Sequence, residues 1–544
     1  MIYTAGKTQD PIPQLDLLSF LFDSPLTLAT DTTVLFADAA NPSNGITKAL
    51  ARIWTRRIAN TLRTRFGVGQ GGKNKDVVLV ISNGQMMLPI LFYAIIAAGG
   101  VVSLASTSFK PEELAKQIQQ GSAKLCISCS TTQDILLAAA RLCEFPSHRC
   151  LVLDSAPWRL RMLTGSSRQN IVGESELNWE RITAKEELEN SLICLIYSSG
   201  TTGAPKGVKL SHTNFVAAAV STSLREHWEA NGRWEYRTLA HLPAAHVAGA
   251  LGYFILSFYH GGITYWMSKF DFAFFLECNQ RLEITSFFSV PPIFLLIAKS
   301  PLVKDQFRSL RSVTSGAAPL GKDLQISVSK KLGVFLTQIW GLSETTGPAS
   351  GGENNVEDLS GSVGPPIPYA ELRIIDESGN DCPPNTPGEV LVRGPTITKG
   401  YFNNPAANSE GFRDGFLLTG DIGFFQGDRL HIVDRKKELI KYKGLQVAPA
   451  ELESLLISHP QIMDAGVIGI YDELNATEVP RAYVVADKTV ISATAIQEFV
   501  KTRVGNHKQL RGGVEFVPAI PKSAAGKILR KELRAKASSI MAKL

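Results

Sequence analysis

Short β-branched runs alternate with longer stretches of helical periodicity, and this alternation constrains the fold more than any other feature of the chain. Residues 76–81 (DVVLVI) read as a strand, as do residues 124–128, 150–153, 191–197 and 285–290. Between them, residues 111–120 and 132–142 are amphipathic at helical spacing. Such alternation belongs to α/β architecture with largely parallel sheets. From about Tyr369 the strands become short and turn-rich, at residues 371–375, 388–393 and 429–433, which predicts a small β subdomain. An αβ pattern resumes after Asp434-Arg435 and runs to Leu544. At 544 residues the chain is too long for one core. The expected division is an N-terminal domain over 1–433, a charged linker at 434–437 and a smaller C-terminal domain over 438–544.

Hydrophobic residues make up 44% of the chain and charged residues 19%, which are globular values and exclude a largely disordered chain. A formal net charge of +6 suits anionic small molecules as well as it suits nucleic acid, so it decides little. Nothing in the sequence calls for nucleic acid as a partner. The seven cysteines are scattered and odd in number, so an intracellular, reduced protein is expected. Cys126 and Cys129 form a C-x-x-C, but it lies in an apolar run with no second pair, so a buried strand is expected there. Two uncharged stretches, 86–109 and 242–268, imitate membrane spans. Pro89 and Gly99-Gly100 interrupt the first, and His246, His260 and glycines interrupt the second, so both are expected in the core and no transmembrane segment is expected.

The strongest local signal is Tyr197-Ser198-Ser199-Gly200-Thr201-Thr202-Gly203-Ala204-Pro205-Lys206-Gly207, directly after an apolar run. Its glycines let backbone N–H groups converge on one point, its hydroxyls add donors and Lys206 adds a point charge, which together suit a polyphosphate. It is not a Walker loop, because no Ser or Thr follows the lysine. Gly67-Val68-Gly69-Gln70-Gly71-Gly72 matches the dinucleotide pattern formally but precedes a strand instead of following one, so it reads as a turn.

With this loop, further motifs occur in a fixed order. They are Ser315 to Leu320 (SGAAPL), Gln338 to Glu344 (QIWGLSE), Gly388 to Pro395 (GEVLVRGP), Thr419-Gly420-Asp421, Asp434 to Gly444 (DRKKELIKYKG), Gln446 to Glu451 (QVAPAE) and Pro521 to Lys527 (PKSAAGK). In them the chain resembles the adenylate-forming superfamily of acyl- and aryl-CoA ligases, luciferases and peptide-synthetase adenylation domains, and most of all 4-coumarate–CoA ligase-like enzymes. The resemblance runs from about residue 50 to the end. It implies a large N-terminal domain of several subdomains, with parallel α/β sheets and a small β part, and a mobile small α+β C-terminal domain. It also implies ATP, Mg²⁺ and coenzyme A, and an activity that converts a carboxylic acid to an acyl-adenylate and then to a thioester.

By that resemblance, Ser198, Ser199, Gly200, Thr201, Thr202, Gly203 and Lys206 would cradle phosphates, and Glu344 with the Thr202 hydroxyl would hold Mg²⁺. Asp421 would accept from the ribose diol, with Arg435 near it. Trp340, where the family more often has Tyr, would lie against adenine, with Gln338 and Ser343 adding polar contacts. Lys527 would meet the carboxylate and α-phosphate. Lys437 matches the hinge, Lys441 and Gln446 match contacts to the adenylate, and Lys443, Gly444 and Lys269 match contacts to coenzyme A. His246 matches a gate and substrate-side histidine. The acid would lie near His246, Ala248, Gly249, Gly252, Gly316, Ala317 and Ile339. No charged residue stands out in that set, which argues against amino-acid substrates and for a largely apolar medium-chain, branched or aryl acid. Transfer to a carrier-protein phosphopantetheine in secondary metabolism, luciferase-like oxidation and a non-catalytic nucleotide binder are the alternatives. The terminal Ala542-Lys543-Leu544 resembles a peroxisomal address.

Overall fold

The computed structural model describes residues 1–544 except 7–9, 165–168, 199–204, 226–233, 355, 474, 476, 524–525 and 542–544, and describes the backbone alone at 539–541. A seven-stranded sheet dominates the first part. Its central strands Leu192–Ser198, Val101–Ala105, Val77–Ile81, Ala123–Ser128 and Cys150–Ser155 run parallel. Every residue of Val77–Ile81 and Val101–Ala105 is buried, as a parallel strand covered on both faces requires. The connecting helix Leu88–Ala97 is buried along all ten residues. The uncharged stretch that imitates a membrane span is thus a core helix and a core strand. No helix among the described residues is long and apolar enough to cross a membrane. Cys126 sits inside the strand Ala123–Ser128, and all seven cysteines are free thiols.

Two four-stranded sheets follow. In the one that matters for the site, Ser286–Ser289, Ser312–Ser315 and Leu336–Leu342 run parallel, and Gly347–Gly351 returns antiparallel beside the last. The expected β subdomain is a six-stranded sheet that includes Glu371–Ile375, Gly388–Arg393, Phe416–Gln426 and Arg429–Arg435. The last strand continues through Asp434 and Arg435, so it runs past the expected boundary at 433 and into the expected linker.

The C-terminal part has its own apolar centre, built from residues such as Leu452, Val467, Val484 and Ile496. Its three-stranded sheet pairs Ile462–Asp472 with Thr477–Ala486 antiparallel and Val514–Phe516 parallel. It meets the first part at several points. Lys436 N–H donates to Gly420 O, Lys299 Nζ donates to Ile462 O, and Gly526 lies against Val290 and Pro292.

Candidate active site

A cavity of about 110 Å³ opens between the helix His212–Arg225, the wide helical turns Ala250–Leu256 and the sheet of Leu336–Leu342. His246, Ala248, Gly249, Gly252, Gly316, Ala317 and Ile339, which the sequence assigned to the acid, all line it. Ala250–Leu256 is a π-helical segment, a geometry that recurs at functional sites because it displaces side chains from the usual helical spacing. Gly252 is required there, since a Cβ would fall 2.2 Å from the Phe288 ring. Phe288, Leu251 and Ile339 make this part of the wall apolar.

Two cationic or titratable groups meet at one end. The Nδ1 of His246 accepts the N–H of Ala248 at 3.3 Å, which leaves the ring proton on Nε2. Burial, and then the charge of Lys527, holds the imidazole down at about 4, so it is neutral near pH 7. Lys527 lines the same cavity. Burial lowers its pKa, Arg435 lowers it further, and Asp421 and Glu344 oppose both. A tight turn carries it: Ser523 N–H donates to Lys527 O at 2.8 Å, Lys527 N–H donates to Ser523 Oγ at 3.2 Å, and Lys522 bridges Ile528. Gly526, at φ +79°, supplies the left-handed residue of that turn.

Asp421 is buried, and two donors hold it. Trp340 Nε1–H reaches Oδ2 at 2.8 Å and Arg435 Nε reaches Oδ1 at 2.6 Å. Burial raises its pKa, Arg435 pulls it back, and the indole N–H lowers it further. A carboxylate has about four acceptor positions, so two remain for a diol. The indole N–H of Trp340 thus becomes a support for Asp421. Glu344, in the turn Ser343–Thr345, accepts the Tyr401 hydroxyl at 3.1 Å, and Lys206 Nζ stands 5.1 Å over the Tyr401 ring. Burial and Glu344 together push the Tyr401 phenol up. Tyr401 therefore joins Lys206, expected on the phosphates, to Glu344, expected on the metal. Sequence reading missed it, although Tyr401 follows the Gly388 to Pro395 motif closely.

Ser198 closes the strand Leu192–Ser198 and pairs antiparallel with Lys206, the first residue of Lys206–Ser211. Ser199, Gly200, Thr201, Thr202 and Gly203 lie outside the described residues. Ser343 lines the cavity, whereas Gln338 lies off it and donates its amide to Gln325 Oε1 at 3.1 Å. Lys441 and Gln446 face each other across the hairpin Ile440–Tyr442/Leu445–Val447, with Lys443 and Gly444 at its tip, all exposed and away from the cavity. Lys437 and Lys269 are exposed as well. Among the described residues no three His, Cys, Asp or Glu side chains gather as a metal site. The single carboxylate Glu344 suits Mg²⁺ that arrives on phosphates and keeps its waters. A charged side chain outside the set that the sequence assigned to the acid also lines the cavity, namely Arg225, together with Thr222. Both are on the last turn of His212–Arg225, where helical periodicity alone gives them no distinction from core positions.

Residues 33–402 match the family described as AMP-binding enzyme, and residues 451–527 match its C-terminal domain. The chain belongs to this adenylate-forming family. A protein of Emericella nidulans named "Putative acyl-coenzyme A synthetase" is 45% identical over 97% of both chains. A phenylacetyl-CoA ligase of Aspergillus niger is 34% identical over 98% of this chain and 99% of its own, and a 4-coumarate–CoA ligase of Nicotiana tabacum is 38% identical over 86% of each. The solved structure of ATP-bound MatB from Rhodopseudomonas palustris superposes with a TM-score of 0.83 at 25% identity, over 96% of this chain and 99% of that one. Within the family, then, the chain is an AMP-forming acid–thiol ligase, an acyl-CoA synthetase that uses ATP and coenzyme A.

Proposed function

We propose that the cavity takes a largely apolar carboxylic acid and that its carboxylate attacks the α-phosphate of ATP beneath Lys527. The position of Lys527, buried on the cavity wall that also holds His246 and under the charges of Asp421 and Glu344, carries this reading. Two anions must approach each other in that step, and a fixed ammonium offsets the charge that builds. Mg²⁺ would be held by Glu344 with a hydroxyl of Thr202, and it would neutralise phosphate charge. Asp421, backed by Trp340 and Arg435, would fix the ribose. After pyrophosphate leaves, coenzyme A would attack the acyl-adenylate. Because Lys441, Lys443, Gly444 and Gln446 stand away from the cavity here, this second step would need the C-terminal part to turn about Lys437 and present that hairpin. Lys269 is a further candidate contact for coenzyme A. The names of the relatives support an aryl or arylalkyl acid, and the apolar wall suits medium-chain and branched acids equally.

The test is incubation with Mg-ATP and aliphatic, branched and aryl acids, with and without coenzyme A, followed by mass spectrometry of AMP and acyl-CoA. Acid-dependent acyl-CoA supports the reading. Bound acyl-adenylate without thioester would move the acceptor to a carrier-protein phosphopantetheine, and to secondary metabolism with it. Peroxisomal location is a separate proposal resting on Ala542-Lys543-Leu544. Punctate import of a fluorescent fusion that survives loss of Leu544 would refute it.

A further inference from the structure

The cavity has a second polar end. Thr222 and Arg225 are three residues apart on His212–Arg225, so they share a helix face, and both line the cavity. Thr222 is 3% exposed, and its Oγ1 has no hydrogen-bond partner among the described residues. A buried hydroxyl left this way is costly unless something in the adjoining space satisfies it. Arg225 is 5% exposed, and its Nη1 donates to Gly352 O at 2.6 Å. Its side chain runs beside Gly351, where a Cβ would fall 2.8 Å from Arg225 Cδ. The guanidinium brings a cationic side chain with several N–H donors to this wall.

The strand Gly347–Gly351 measures the distance between the two ends. Gly347 pairs with Leu342, next to Ser343 and Glu344, and Gly351 pairs with Ile339, beside Arg225. A bulge shortens this span, which the facing strand covers in three steps of about 3.3 Å from Leu342 to Ile339, so the two ends stand roughly 10 Å apart. The charge of Glu344 acts on Lys527, which puts Lys527 toward the Ser343 end of this strand, while Arg225, with Thr222 on the same helix face, lines the cavity toward the Gly351 end.

We infer that Thr222 and Arg225 form a specificity subsite for the end of the acid remote from its reacting carboxyl, and that this end carries an acceptor oxygen. The inference rests on the ligase reading above. Thr222 O–H and the Arg225 guanidinium both donate to that oxygen, whether it belongs to a hydroxyl, a ketone or a second carboxylate. A site built to hydrogen-bond an oxygen rejects the analogue that lacks it far more strongly than an apolar pocket discriminates by size.

The experiment compares kcat/KM for acyl-CoA formation across two matched series. One is phenylacetic acid carrying para-methyl, para-hydroxy, para-acetyl or para-carboxy groups; the other is octanoic acid against its terminal hydroxyl, keto and carboxyl analogues. In at least one series the oxygen-ended acids exceed the methyl-ended one. Thr222→Val and Arg225→Met each lower that ratio by about tenfold or more. A carboxylate-ended substrate depends more on Arg225 and a hydroxyl- or keto-ended one more on Thr222. Because Arg225 also holds Gly352, the near-isosteric Thr222→Val keeps the test alive if Arg225→Met fails to fold. Preference of the parent enzyme for the methyl-ended acid in both series, or ratios unmoved in Thr222→Val, overturns the subsite while leaving the ligase intact. Silence with every acid overturns the ligase reading, and the subsite with it.

Discussion

Asp421 is a buried carboxylate whose two oxygens answer to different partners, an indole and a guanidinium. Trp340→Phe keeps a flat ring but removes the N–H together with the second ring of the indole. The expected result is a loss of at least about 1–3 kcal/mol of stability, from a buried acceptor left less satisfied and from lost packing, together with a raised KM for ATP. An unchanged unfolding midpoint and an unchanged KM would show that the bond supports nothing. Lys527 gives a second prediction at this scale. Burial and Arg435 lower its pKa, so the alkaline limb of adenylation should fall below the ordinary lysine range and move upward in Lys527→Arg. A limb at the same pH in both enzymes would assign it elsewhere. Residues that sit inside motifs, such as His246, Glu344, Asp421 and Lys527, were legible because their neighbours in sequence carry the signal. Tyr401, Arg225 and the second duty of Trp340 were not, because each acts across a contact between distant segments; Trp340 and Asp421 are 81 residues apart.

The turn that carries Lys527 leads straight into the helix Arg530–Met541, and an ion pair fastens that junction. Arg530 Nη2 donates to both Glu453 oxygens, at 2.9 and 2.8 Å, while Glu453 Oε1 also accepts Val467 N–H at 2.9 Å. Burial raises the Glu453 pKa, and Arg530 pulls it back. Glu453→Gln leaves the guanidinium without its charge partner, and breaking a buried pair from one side costs about 3–5 kcal/mol. Adenylation should fall with it, and hydrogen exchange should quicken in the C-terminal sheet while Leu88–Ala97 stays protected. Equal protection in both regions would detach the ion pair from the placement of Lys527. The strands and helices here were legible from period alone: 111–120, 371–375 and 388–393 coincide with Pro111–Gln120, Glu371–Ile375 and Gly388–Arg393. The edge at 433 was not, because charge marked a linker where hydrogen bonds continue the strand to Arg435.

Several histidines are sealed in the molecule as neutral rings, and this gives the whole fold a pH dependence. Burial holds His241 down at about 4, below the roughly 6.5 of a free imidazole. The unfolded chain takes up that proton first, so the stability His241 contributes is present above about pH 6.5 and is lost as pH falls toward 4. Asp421, Asp434 and Glu453, raised by burial, work in the opposite sense, so a single-site comparison is the clean one. His241→Gln, neutral at every pH, should be the less stable chain near neutrality, and the gap should close on acidification by on the order of 3 kcal/mol. A gap independent of pH in urea unfolding would contradict a buried neutral ring.

The two-part architecture was legible from the sequence, whereas the arrangement of its parts was not, because no local signal says that Lys527 lies over a cavity built some two hundred residues earlier. The most direct test of that arrangement separates the two half-reactions in Lys527→Ala. Acid-dependent exchange of pyrophosphate into ATP should fall about 10²-fold or more, while thioester formation from supplied acyl-adenylate and coenzyme A continues near the parent rate. Equal loss of both half-reactions, or full exchange activity without the lysine, would contradict the placement of Lys527 at the adenylating centre.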